Sequence, residues 1–154
     1  IKVYDEKRVK ECFLKFIENI DETELAKLTK SFYDERLSTI LYEDAVNMIK
    51  KLKNEGYMVI LISASPEFYI KEFYAIKEVD LIIGTKFTFE GGKFIRKMSG
   101  NNCKGEEKVR RLNEVLKEVL IKKIDRVNQT EEWKNRYSTK LFCIRYSNLI
   151  NIKK

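Results

Sequence analysis

Histidine is absent from the chain. Its absence removes Ser–His triads, His-ligated zinc and imidazole acid–base catalysis together. Any chemistry therefore runs on carboxylates, hydroxyls, lysine, tyrosine or thiols. Cysteine is scarce: Cys12, Cys103 and Cys143 stand far apart, and no C-x-x-C spacing occurs. Neither a zinc ribbon nor a disulfide framework is indicated, and reduced thiols in a cytoplasm are the expectation. Proline occurs once, as Pro66, and no Pro-, Gly- or Ser-rich stretch divides the chain. No apolar run reaches the length of a membrane span and no signal peptide is evident, so a soluble chain without a membrane partner is expected. The first residue is Ile1 rather than Met, as in a fragment or a processed piece.

What is present fits one globular unit. A length of 154 residues suits a single domain and supplies a core without staples. The formal net charge is +7, which raises nucleic acid as a partner. Lysine is spread along the chain among glutamates, however, and no Arg-rich run or groove-reading element accompanies it. A solvated surface explains the charge, a nucleic-acid partner is not expected, and a small anionic substrate would be served by the same field.

Periodicity predicts an amphipathic helix over residues 6–20, with Val9, Cys12, Phe13, Phe16, Ile17 and Ile20 facing the core and Asp5 as N-cap. Asp21 and Glu24 stand at capping-box spacing before a second helix that turns Leu25, Leu28, Phe32 and Leu37 inward. A third helix is predicted from about Tyr42 to Glu55, striped by Ala45, Val46, Ile49 and Leu52. Gly56 follows at its left-handed cap. Met58 to Ile62 is an unbroken apolar run, the mark of a parallel strand buried on both faces. Ser65 as N-cap and Pro66 at the first helical position open a helix through Phe68, Tyr69, Phe73 and Ile76. Leu81-Ile82-Ile83 is a second short strand. Thr85–Phe89 and Lys93–Ile95 flank Gly91-Gly92 as a hairpin. A last helix opens at Gly105, with Val109, Leu112, Leu116 and Val119 inward. Helices and apolar strands in this order predict an α/β fold built on a parallel sheet. Beyond residue 122 the pattern weakens, with Leu141-Phe142-Cys143-Ile144 a possible strand.

Two segments carry chemistry. In open α/β sheets ligands bind at the carboxyl ends of strands. Ser63-Ala64-Ser65 ends the first strand there, and its hydroxyls and backbone N–H groups suit an anion. The same residues also serve simply to end the strand and cap the helix. Lys108 lies in the first turn of the last helix, where a cation opposes the helix dipole. It is either a solvated surface lysine or a partner for an anion. Lys104 is the alternative cation, placed just ahead of the helix.

Together, GYMVILISASPEFYI, LIIGT, the Gly91-Gly92 turn and NCKGEEKVRRL resemble the phosphoserine-phosphatase-like branch (subfamily IB) of the haloacid dehalogenase superfamily. The resemblance covers residues 41–112, and the helices of residues 6–40 are similar to the cap that branch inserts after its first motif. It implies a Rossmann-like parallel sheet of that type, with 1–40 a helical cap-like segment and 41–154 a partial α/β core, joined in one compact unit. It also implies Mg²⁺-dependent hydrolysis of a phosphomonoester through an aspartyl-phosphate, the ligand being a small phosphorylated substrate or inorganic phosphate. Ser63 matches the hydroxyl that hydrogen-bonds the transferring phosphoryl group, assisted by the Ala64 N–H. Lys108 matches the lysine that neutralises its charge.

Two departures stand against these matches. The family's first motif is D-x-D-x-T/V, and no D-x-D occurs in the chain. Residues Ile1 to Asp5 faintly resemble its strand and first aspartate, which makes Asp5 a candidate nucleophile as well as a cap. Lys7 stands where the acid belongs. The fourth motif, an acidic pair that binds Mg²⁺, has only Asn148 after the last strand or Asp125 after Ile121–Ile124. An active site divided in this way is expected of a chain lacking an upstream segment, of one completed by a second chain, or of a degenerate relative. The alternative function is a non-catalytic phosphate- or partner-binding domain derived from such a hydrolase.

Overall fold

The computed structural model describes residues 5–127 and 141–145, with side chains described over residues 5–118. The chain runs α1 (Glu6–Phe13), α2 (Glu22–Phe32), α3 (Glu43–Asn54), β1 (Met58–Pro66), α4 (Glu67–Ile70), β2 (Leu81–Thr85), β3 (Phe87–Glu90), β4 (Lys93–Met98), α5 (Glu106–Val127) and β5 (Leu141–Arg145). Strands β2, β1 and β5 form a parallel sheet in that order, and β3–β4 is a separate antiparallel hairpin. The α/β expectation therefore holds, as a partial Rossmann-like sheet.

Strand β1 is central because both of its faces are apolar. Val59, Ile60, Leu61 and Ile62 are buried. Val59 and Leu61 pack with Ile49 of α3 and with Ile70 and Phe73, while Ile60 and Ile62 pack with Ile83 and Cys103. Burying side chains of this kind stabilises by about 1.5–3 kcal/mol each. Gly56 ends the α3 segment at φ +83, the left-handed value that its missing Cβ permits.

Several boundaries differ from the sequence expectation. Strand β1 continues through Ser63, Ala64 and Ser65, so Pro66 rather than Ser65 sits at the N-cap of α4. The α-helix of α4 is one turn long and tightens to 3₁₀ over Lys71–Ala75. Likewise α1 stops at Phe13, and Leu14–Ile17 is 3₁₀. Asp5 caps α1 as expected, accepting the Lys7 N–H at 3.2 Å. Asp21 makes no side-chain cap bond. It bridges Lys93 instead, and the Glu22 N–H donates to the Gly92 carbonyl at 2.8 Å. The hairpin thus satisfies the helix end that a capping box was expected to satisfy. The Asn19 N–H to Phe94 carbonyl bond (2.8 Å) and the Phe94 N–H to Ile20 carbonyl bond (2.9 Å) fasten the same junction.

The inward faces of the first two helices are narrower than predicted. Leu14 and Leu25 are buried with Phe87, Phe94 and Met98 of the hairpin, and Leu37 joins the β1 core. Val9, Phe13, Phe16, Leu28 and Phe32 are exposed. On α5, Val109 is 59% exposed, and Leu112 and Val115 pack on the sheet instead. Ile121–Ile124 is helical, within α5. Leu141–Arg145 is a strand, paired in parallel register with Met58–Ile62 of β1. Asn148 and the Asp125 and Val119 side chains lie outside the described residues.

Candidate functional site

The carboxyl ends of β1 and β2 lie side by side, since Ile62 is paired with Ile83 and Pro66 with Thr85. A cluster of polar groups converges there. Ser63 is buried, and its Oγ accepts the Ser65 N–H at 3.0 Å. That contact occupies an oxygen lone pair and leaves the hydroxyl proton free to be donated. Lys108 lies in the first turn of α5, and its Nζ donates to the Ile62 carbonyl at 3.4 Å. The sequence-predicted pair is therefore brought together at the end of one strand. The inward stripe of α5 begins with cations, Lys108 and Arg111, and continues with Leu112 and Val115.

Lys10 completes the cluster. Its Nζ donates to the Ala64 carbonyl at 2.5 Å and to Asn102 Oδ1 at 2.6 Å. Burial pushes its pKa below the usual lysine range, opposed by the field of Glu6. The Thr85 hydroxyl also donates to the Ala64 carbonyl, at 2.7 Å, and accepts the Cys103 N–H at 3.1 Å. Two donors on the Ala64 carbonyl fix the plane of the Ala64–Ser65 peptide, because that bond is planar. Its N–H then points to Ser63 Oγ. The arrangement preorganises a hydroxyl and two ammonium groups around one turn, which suits a tetrahedral oxyanion.

Other predicted residues lie apart or are engaged. Asp5 is exposed at the start of α1 and used as its cap. Lys104 is exposed and paired with Glu6, whose carboxyl is held below its usual range by that lysine. Sequence reasoning passed over Lys10, Thr85 and Asn102. One signal pointed to Lys10: it shares a helical face with Leu14 and Ile17, at i+4 and i+7, so its ammonium approaches the inner side.

The cluster forms the floor of a cleft of about 1110 Å³. Its walls come from α1, the turn after it, α2 and α4, and include Phe13, Phe16, Leu28 and Phe32. Among the described residues no helix is long and apolar enough to cross a membrane.

Comparison with known proteins gives the family. The model of the haloacid dehalogenase-like hydrolase family matches residues 1–123. Protein CicA of Caulobacter vibrioides, in two strains, is 28% identical over 102 residues, covering 66% of this chain and 46% of CicA. The chain thus spans about half the length of the curated relatives it matches. A crystal structure of a Bordetella pertussis Tohama I protein is similar with a TM-score of 0.70 at 20% identity, covering 77% of this chain and 53% of that one. That likeness is one of fold. With the family model matched over residues 1–123, most of its length, the chain belongs to the haloacid dehalogenase-like hydrolase family.

Proposed function

We propose that this chain carries the phosphate-holding half of a phosphomonoester hydrolase of the phosphoserine-phosphatase-like branch. The observation that carries the reading is the convergence of Ser63 and Lys108 at the end of β1. In this reading Ser63 Oγ donates to a phosphoryl oxygen, the Ala64 N–H assists, and Lys108 neutralises charge. Lys10 adds a second cation on the same floor. Displacing water from such fixed donors strengthens their hold on an oxyanion.

Hydrolases of this family generally use Mg²⁺. Among the described residues no group of three or more carboxylates or thiols gathers to hold a metal ion. The floor itself offers hydroxyl, amide and ammonium groups, and ammonium groups repel a cation. The described residues therefore do not fit Mg²⁺. Hydrolysis through an aspartyl-phosphate is the proposed activity of the whole protein, with the nucleophile and metal ligands supplied from outside this cluster.

Calorimetry with inorganic phosphate, with and without Mg²⁺, tests the holding role. Lys108→Ala removes a charge-assisted hydrogen bond worth roughly 1.5–3 kcal/mol, so affinity drops about tenfold or more. Ser63→Ala weakens binding by a smaller factor. A parallel assay uses an aryl phosphate with Mg²⁺. Binding or turnover indifferent to both substitutions sinks the assignment.

A further inference from the structure

The cleft above the phosphate floor is much larger than a phosphate and is almost wholly apolar. We infer that the ligand is an amphiphilic phosphomonoester, its head group on Ser63, Lys10 and Lys108 and an aliphatic or aromatic group along the walls. This rests on the phosphate reading above.

Three observations support it. The volume, about 1110 Å³, slightly exceeds the usual range for small-molecule pockets. The walls expose side chains that water disfavours: Phe13 and Phe16 are each 76% exposed, Leu28 is 50% and Phe32 46%. A contiguous apolar patch of this kind marks a binding surface rather than ordinary surface scatter. The charge is also one-sided. Lys10 and Lys108 are the only ionisable side chains other than tyrosine among the described lining residues, and both touch the floor.

A hydrophilic ester, such as a sugar or amino-acid phosphate, has little to bond on these walls. The Thr29 hydroxyl is already engaged by the Ala26 carbonyl and Glu72. A ligand that is anionic at one end and apolar at the other matches the cleft along its length. Long-chain alkyl phosphates and lipid phosphates share this chemistry.

The test is calorimetry of the chain with inorganic phosphate, glycerol phosphate, butyl phosphate and octyl phosphate, the last below its micelle concentration, and with 1-octanol as the uncharged control. Full burial of a methylene gives about a fourfold gain in affinity, and an open cleft about half that effect on a logarithmic scale. Octyl phosphate is therefore expected to bind at least about 16-fold more tightly than butyl phosphate. Phe16→Ser with Leu28→Ser flattens this dependence and leaves inorganic phosphate affinity unchanged. Both side chains are exposed, so the fold is kept, which circular dichroism checks. Lys108→Ala weakens all the phosphates by a similar factor.

Phosphate binding with no dependence on chain length overturns the substrate class while leaving the phosphate site intact. No binding of inorganic phosphate, with octanol bound as tightly as octyl phosphate, overturns the phosphate reading itself. A dimer in sedimentation that dissociates on Phe16→Ser and excludes octyl phosphate means a second copy covers the walls, and overturns the inference. Flotation with phosphatidic acid vesicles and not phosphatidylcholine vesicles identifies a bilayer source. Octyl phosphate binding without flotation identifies a soluble one, and either result supports the class.

Discussion

Thr85 is the joint of the candidate site, and replacing it with valine tests that role. Thr85 is fully buried at the end of β2. Its hydroxyl bonds the Ala64 carbonyl at 2.7 Å, accepts the Cys103 N–H at 3.1 Å and lies 3.1 Å from Asn102 Oδ1. One side chain thus ties the Ser63 turn to the loop that launches α5. Valine keeps the shape and removes the polar joint. The Ala64 carbonyl retains Lys10 as a donor, so it is not orphaned. The Cys103 N–H, on a fully buried residue, loses its acceptor, at a cost of about 1–3 kcal/mol. Thr85→Ser is the control. It keeps the hydroxyl and deletes one buried methyl, costing about 1 kcal/mol. Thr85→Val is therefore expected to lose about 2 kcal/mol, more than the serine variant. In urea unfolding with m of about 1–3 kcal/mol/M, its midpoint falls by roughly 1 M at unchanged slope. A valine variant that unfolds at or above the midpoint of the serine variant refutes the reasoning.

Gly84→Ala is expected to destabilise by about 1–3 kcal/mol in the same urea experiment, as overpacking does. A Cβ there meets Glu67 Cα at 2.7 Å and Ile70 Cδ1 at 2.8 Å, and backbone cannot move aside as a flexible side chain does. Lys10 links stability to pH. Burial lowers its pKa from 10.5 in the folded chain, so between the lowered value and 10.5 the unfolded chain binds more protons. In that window Lys10 makes stability rise with pH. Lys10→Met flattens that contribution, seen in urea midpoints across the alkaline range; an unchanged pH profile contradicts the burial of its charge. Thiol labelling separates two cysteines: Cys12 is exposed and Cys103 buried, with burial pushing the Cys103 thiol up. Mass spectrometry of the native chain should find reagent on Cys12 and none on Cys103 until denaturant is added.

Much of the fold was legible because its signals are local. The run Met58–Ile62 can be buried on both faces only in the centre of a sheet, and Gly91-Gly92 between alternating strands closes a hairpin. The cap of α2 was misread because its partner, the Gly92 carbonyl, lies 70 residues away. The faces of α1, α2 and α5 were misread for a different reason. Periodicity reports which residues are apolar, not whether anything covers them, and Phe13, Phe16 and Leu28 are apolar yet face a cleft. Val109 shows the converse: Lys108 and Arg111 occupy the inward stripe because carbonyls of the sheet edge, those of Ile62 and Gly84, accept their hydrogen bonds. For the site, Ser63 and Lys108 stood out by resemblance. Thr85 and Asn102 have no sequence mark, since their role depends on which strand ends meet.

Three carboxylates on the elements around the floor illustrate why holding and cleaving a phosphate separate in the described residues. Glu6 is paired with Lys104 and accepts from Asn102. Glu11 accepts the Met98 N–H. Glu67 faces Arg111 and the Gly84 N–H. Each is already satisfied by a donor, and releasing one as a nucleophile would leave a cation or an N–H without its partner. Lys10 and Lys108, by contrast, spend their hydrogen bonds on neutral acceptors: main-chain carbonyls and, for Lys10, the Asn102 amide oxygen. Neither ammonium forms an ion pair among the described residues, and chiefly the field of Glu6 offsets the charge of Lys10, so an arriving anion finds both cations available. A site built this way gains most from binding a dianion, and these three carboxylates are not free to attack it. The proposed hydrolysis therefore depends on a carboxylate brought to the same floor from outside this cluster. Lys10 and Lys108 would hold its charge beside that of the phosphate.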